Sequence, residues 1–70
     1  MPIVEITLVS GRSPQELRAM ISAVTTAVSE TVAAPVSAVR VIIREVPTTH
    51  FAAGDVTIAE RTRSVPATSP

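Results

Sequence analysis

The sequence predicts an α/β fold, a small βαβ unit that is completed by oligomerisation. Two apolar, β-branched segments flank one long amphipathic segment, in the order strand, helix, strand. Two strands joined by a helical crossover run parallel, so they should form a two-stranded parallel sheet. The 70 residues include no cysteine and one histidine, which excludes disulfides and thiolate metal sites. A chain this small usually needs other copies to bury a core.

The first strand and the helix each have a local signature. Residues 3–9 are mostly β-branched and partly alternating, which is typical of a strand. Ser13 and Glu16 form a predicted capping box, with Pro14 at the first helical position. The helix should run from about residue 14 to residue 32, because Pro35 forbids its continuation. Its buried stripe should comprise Leu17, Met20, Ile21, Val24, Val28 and Val32.

The second half of the sequence is predicted to hold a strand, a loop and a tail. Residues 39–46 form the second strand, which Pro47 ends. Residues 48–55 form a loop, and residues 56–59 a short third strand or the arm of a C-terminal hairpin. The folded domain then spans residues 1–61. Serine, threonine and proline dominate residues 62–70, which we expect to be an extended or disordered tail.

This predicted unit has too few elements to cover its own apolar surface. One helix covers one face of a two-stranded sheet, and such a sheet is too small to be stable alone. The other face would expose four apolar side chains to water: Ile3, Val9, Ile42 and Val46. We therefore expect an obligate oligomer in which the sheets associate and the helices lie outside.

Composition excludes several classes of partner. The formal net charge is zero and the sole aromatic residue is Phe51, so neither a polyanion surface nor a base-stacking platform is expected. No apolar run approaches the ~20 residues that a membrane-spanning helix needs, and no signal-peptide pattern is present. We expect a cytoplasmic protein that binds neither nucleic acid nor membrane.

The best candidate base is the nitrogen of Pro2. All six Lys or Arg residues of the sequence are arginine, so no lysine side chain offers an amine, and the amine left as a candidate base is the α-amino group of the N-terminus. Removal of Met1, which a small following residue favours, would expose the secondary amine of Pro2. A free α-amino group has a pKa of roughly 7.7–8.0, and burial beside cations lowers the pKa of an amine towards the optimum for a general base. Alternatively, Pro2 is simply tolerated at the first position of a strand.

Arginine residues are the candidate binding groups. Arg40 lies in an apolar strand, where its charge needs a carboxylate or a ligand as partner. It either pairs with Glu5 or Glu45, or offers its guanidinium to a substrate carboxylate or carbonyl. Arg12 is a weaker candidate of the same kind. Phe51 is either a packing residue or a pocket wall, and no catalytic role is assigned to His50.

Together these features resemble the 4-oxalocrotonate tautomerase family, small βαβ proteins with an amino-terminal proline as acid and base. The similarity extends from residue 2 to about residue 54. It is carried by the order and spacing of the segments 2–4, 11–13, 34–35 and 39–43, followed by Glu45, His50 and Phe51.

The resemblance implies a cofactor-independent isomerase in aromatic hydrocarbon catabolism, acting on 2-oxo acids or dicarboxylates such as 2-hydroxymuconate. It also implies a homohexamer built as a trimer of dimers with shared active sites, although some relatives are heterohexamers. Pro2 would shuttle the proton and Arg40 would bind the 2-oxo oxygen and the adjacent carboxylate. Arg12 of another subunit would bind the distal carboxylate, and Phe51 would line the pocket.

Two departures from the family pattern define the alternatives. Residues 52–55 replace a stretch that is commonly glycine-rich, which puts the hairpin's contacts between subunits in question. Related 3-haloacrylate dehalogenases have a water-activating glutamate where this chain has Ala53, and an extra arginine where it has Val9. A promiscuous hydratase or dehalogenase is therefore disfavoured. A non-catalytic oligomeric binding module with the same fold remains an alternative.

Overall fold

The computed structural model describes the backbone of residues 1–64 and the side chains of residues 1–62. The elements are β1 (Ile3–Val9), α1 (Pro14–Val32), β2 (Arg40–Val46), β3 (Ala52–Ala53), β4 (Val56–Thr57) and α2 (Ile58–Ser64). Short 3-10 turns, Val36–Ala38 and Thr48–His50, precede and follow β2. None of the helices within this described part is both long and apolar enough to cross a membrane.

The βαβ unit has the predicted parallel topology. β1 pairs with β2 in a register that runs from Ile3 opposite Arg40 to Val9 opposite Val46. Successive strand residues point to opposite faces, so alternate side chains can pack under α1. The half-buried strand residues on this covered face are Val4, Ile6, Leu8, Val41 and Ile43. The fold class predicted from the sequence is therefore confirmed.

The helix α1 begins at the predicted capping box. The Glu16 backbone N–H donates to Ser13 Oγ at 3.1 Å, and the Ser13 N–H donates to Glu16 Oε1 at 2.9 Å. Ala33 ends the helix in the left-handed region (φ 56°), and its N–H donates to the carbonyl oxygen of Ser29. Both ends of α1 thus satisfy backbone groups that a helix otherwise leaves unpaired.

The C-terminal part differs from the sequence prediction. β3 and β4 form the expected hairpin, with Gly54 and Asp55 at positive φ in its two-residue turn. The strand ends at Thr57, however, and not at residue 59, because α2 begins at Ile58. α2 continues to Ser64, so residues 62–64 are helical where an extended tail was expected. The remainder of the predicted tail, residues 65–70, lies outside the described residues.

The reason for this difference is a second capping box. The Glu60 N–H donates to Thr57 Oγ1 at 3.1 Å, and the Thr57 N–H donates to Glu60 Oε1 at 3.0 Å. This is the arrangement that starts α1, and it gives the short α2 a defined beginning. A threonine followed three residues later by a glutamate was the signal that the sequence interpretation missed.

A single chain buries very little. No side chain is fully buried among the residues whose burial the structure describes. On the sheet face that α1 leaves open, Ile3 is 54% exposed and Ile42 is 43% exposed, as predicted. Val9 and Val46 are half-buried, although the sequence interpretation expected them in water. Val32, expected in the buried stripe of α1, is 59% exposed.

Candidate active site

The amino end of the sheet brings Pro2 and Arg40 together. The backbone N–H of Arg40 donates to the carbonyl oxygen of Pro2 at 2.9 Å, which extends the β1–β2 ladder by one residue. In a parallel pair both strands begin at the same edge, so residues 38 positions apart in the sequence become neighbours. Pro2 is half-buried there, and Met1, which precedes it, is largely exposed.

The guanidinium of Arg40 has no carboxylate partner in the part of the chain that the structure describes. Its Nη1 donates weakly to the backbone carbonyl of Ala38 at 3.4 Å. Glu5, one of its two expected partners, instead lies 3.3 Å from Arg44 Nη1. Glu45, the other, forms no ion pair with any side chain among residues 1–62. Of the two alternatives for Arg40, pairing with Glu5 or Glu45 is therefore not observed within the described residues, and binding of an anionic substrate by its guanidinium stays a prediction.

Arg12 and Phe51 lie at the opposite end of the sheet. Arg12 follows the end of β1, where the N–H of Ser10 donates to the carbonyl of Val46 at 2.8 Å. Phe51 follows the end of β2, and its carbonyl accepts the Ile58 N–H at 2.9 Å. Seven residues of strand span about 20 Å, which separates this end from Pro2 and Arg40.

One chain therefore does not assemble the four candidate residues into one site. Within the described residues there is no pocket that a small molecule would fill. Phe51 is 36% exposed, and the side chain of Arg12 is exposed with no hydrogen bond to any residue that the structure describes. A site that contains all four residues needs the amino end of one chain and the carboxyl end of another.

His50 and the acidic residues do not form a metal centre here. In the described range, no three side chains among histidine, aspartate and glutamate converge. His50 Nδ1 lies 2.8 Å from Thr49 Oγ1 in an exposed 3-10 turn.

The sequence interpretation missed one further pair of residues. Glu5 and Arg44 meet on the open face of the sheet, on neighbouring strands. Glu5 follows Ile3 by two residues and Arg44 follows Ile42 by two, so both lie on the same face as these exposed isoleucines. Their shared face could be read from the sequence, but their pairing required the register of the two strands.

Comparison with known proteins agrees with this fold. The family model described as "Tautomerase enzyme" matches residues 2–61. A 2-hydroxymuconate tautomerase of Stutzerimonas stutzeri is 43% identical over 54 residues, which are 77% of this chain and 86% of that protein.

Solved structures show the same similarity. A 4-oxalocrotonate tautomerase homologue of the tomaymycin biosynthetic pathway superimposes with a TM-score of 0.86 at 42% identity, over 94% of this chain and all of that chain. A heterohexamer 4-oxalocrotonate tautomerase from Chloroflexus aurantiacus superimposes with a TM-score of 0.83 at 35% identity, over 86% of this chain and 97% of that chain. The protein described here therefore belongs to the tautomerase family, among the 4-oxalocrotonate tautomerases.

Proposed function

We propose that this chain is a cofactor-independent isomerase that uses the secondary amine of Pro2, exposed by removal of Met1, as general base and acid. Its substrates are 2-oxo dicarboxylates of the 2-hydroxymuconate and 4-oxalocrotonate type. The observation that carries the proposal is the adjacency of Pro2 and Arg40 at the amino end of the sheet, where no described carboxylate pairs with Arg40.

The reaction needs one proton transfer and stabilisation of one developing charge. The Pro2 nitrogen takes the proton from the hydroxyl at C2 of the dienol. It returns that proton to C3, a 1,3-transfer, or to C5, a 1,5-transfer. Arg40 binds the C2 oxygen and the adjacent carboxylate, and stabilises the dienolate while the proton is on Pro2. A secondary amine with a pKa near the working pH suits both the abstraction and the return.

The remaining groups come from a neighbouring chain. Arg12 of another subunit binds the distal carboxylate of the substrate, and Phe51 lines the pocket and excludes water. This proposal accounts for the separation of the two residue pairs at opposite ends of one sheet. It also accounts for the lack of fully buried side chains among residues 1–62, because the chains assemble as a hexamer and bury the open face.

The test combines intact mass with activity. The purified protein should lack the mass of Met1, and a proline-directed alkylator such as 3-bromopropiolate should add one label per chain, at Pro2. The unlabelled protein should change the ultraviolet absorbance of 2-hydroxymuconate, and labelling should abolish that change. If Met1 is retained and no turnover occurs, the chain is a non-catalytic oligomeric module. Release of halide from 3-haloacrylates would instead indicate a dehalogenase.

A further inference from the structure

The open face of the β1–β2 sheet carries one ion pair among apolar side chains. Arg44 Nη1 lies 3.3 Å from Glu5 Oε1, a distance at which the two groups share a charge-assisted hydrogen bond. Ile3 and Ile42 lie on the same face and are about half exposed. Arg40 also lies on this face, but at the amino end, where the proposed reaction uses it.

This pair does little for a single chain. The side chains of Arg44 and Glu5 are 56% and 53% exposed, and ion pairs in contact with water contribute little to stability. Their positions in alternating apolar strands would normally favour apolar or small polar residues. The reason for having two opposite charges there must therefore be sought outside the single chain.

We propose that Glu5 and Arg44 make the open face self-complementary, so that the partner it selects is a second copy of this chain. The face carries one charge of each sign from the pair. When two identical faces meet, each carboxylate can be placed beside the guanidinium of the other copy while the isoleucines pack together. Both charges then remain paired as water is excluded, and their attraction strengthens.

The same arrangement discriminates against unlike chains. A face with two charges of one sign would place a like charge against Glu5 or Arg44, and an uncharged face would bury the pair without the additional partners that offset its loss of hydration. Specificity of this kind depends on such a penalty for the wrong partner. The inference rests on the proposed oligomer, but not on the proton-transfer chemistry, and it selects a homo-oligomer over a mixed one.

A charge-reversal cycle tests the proposal. The variants are E5R, R44E and the double variant E5R/R44E, and the measurement is mass in solution by light scattering along a dilution series. Each single reversal gives the pair's two positions the same sign, so it should dissociate at a concentration at least tenfold higher than the parent. The double reversal should restore assembly. Mixing the two single variants should yield oligomers that contain both chains in native mass spectra.

Two exposed residues of α1 provide matched controls. R18E and E30R make the same changes in net charge away from the sheet, and both should assemble like the parent. Circular dichroism follows the helical content of every variant. The proposal is wrong if E5R and R44E assemble like the parent, if the controls dissociate equally, or if neither mixing nor the double reversal restores assembly. The charge-reversal cycle is read from assembly and does not depend on activity. A protein that shows the expected cycle but does not turn over 2-hydroxymuconate would therefore refute the proposed function and leave this proposal standing.

Discussion

The two ends of the β1–β2 sheet are organised by different kinds of interaction. At the amino end, Pro2 and Arg40 are joined by a backbone hydrogen bond that continues the strand ladder. At the carboxyl end, Arg12 and Phe51 follow the last residues of the two strands, and their side chains are exposed. In the proposed function, the first end needs only its substrate, because one chain supplies both of its residues. The second end would contribute to a site only when another chain's amino end approaches.

Replacing Pro2 tests the amino end and should have the largest effect. In P2A the terminal secondary amine and its rigid ring are lost, so turnover of 2-hydroxymuconate should fall by about 10²–10⁴-fold, the usual contribution of general acid–base catalysis. P14A removes a proline at the first turn of α1 and should keep nearly full activity. Equal rates for P2A and the parent, with Met1 shown to be absent from the parent by mass, would contradict the proposed role.

Replacing Arg40 should have the next largest effect. R40A removes the group proposed to stabilise the dienolate, so kcat should fall by roughly 10²–10³-fold, as when a donor to a developing oxyanion is removed. R18A is the matched control, because Arg18 donates to Ser22 on the exposed side of α1 and should be dispensable. Steady-state kinetics separate the two parameters. A rise in KM with unchanged kcat would limit Arg40 to uniform binding of the substrate.

Arg12 tests whether the carboxyl end of a second chain completes the site. R12A should raise KM for a 2-oxo dicarboxylate by roughly tenfold, with a smaller change in kcat, because the proposed role of Arg12 is to bind a carboxylate remote from the reacting atoms. A 2-oxo monocarboxylate should show little difference between R12A and the parent.

Mixed oligomers sharpen this comparison of the two ends. When R12A and R40A chains are unfolded together and reassembled, some sites receive Arg40 from one chain and Arg12 from the other. Activity should then exceed that of either variant refolded alone. No gain on mixing would mean that each site draws both arginines from the same chain.

The two capping boxes should give the smallest effects. S13A and T57A each remove a side-chain acceptor from the first turn of a helix, at a cost of about 1 kcal/mol in the free energy of unfolding. S13A should lower the denaturation midpoint of the whole assembly, because α1 covers the sheet. T57A should mainly loosen α2 and the hairpin, which hydrogen exchange of the Ile58 and Glu60 amides would detect. Both are measured at one protein concentration, since assembly contributes to stability.

Much of the βαβ unit could be predicted because its signals are local. The Ser13–Glu16 capping box and the stop at Pro35 define α1 within a few residues. The same local rule applies to Thr57 and Glu60, yet that helix was missed because the residues before it read as a strand. The partner of Glu5 was also missed. Choosing between Arg40 and Arg44 requires the register of β1 against β2, which no short segment contains.

The sequence by itself determined the order of the elements in the βαβ unit, the parallel pairing and the choice of Pro2 and Arg40 as candidates. These depend on strand alternation, helix caps and residue chemistry, all of which act over a few positions. The tertiary structure decided that Pro2 and Arg40 are neighbours, that Arg44 holds Glu5 and that Arg12 and Phe51 lie at the far end of the sheet. Those relations join residues distant in the chain, so they depend on how the strands align when the backbone folds.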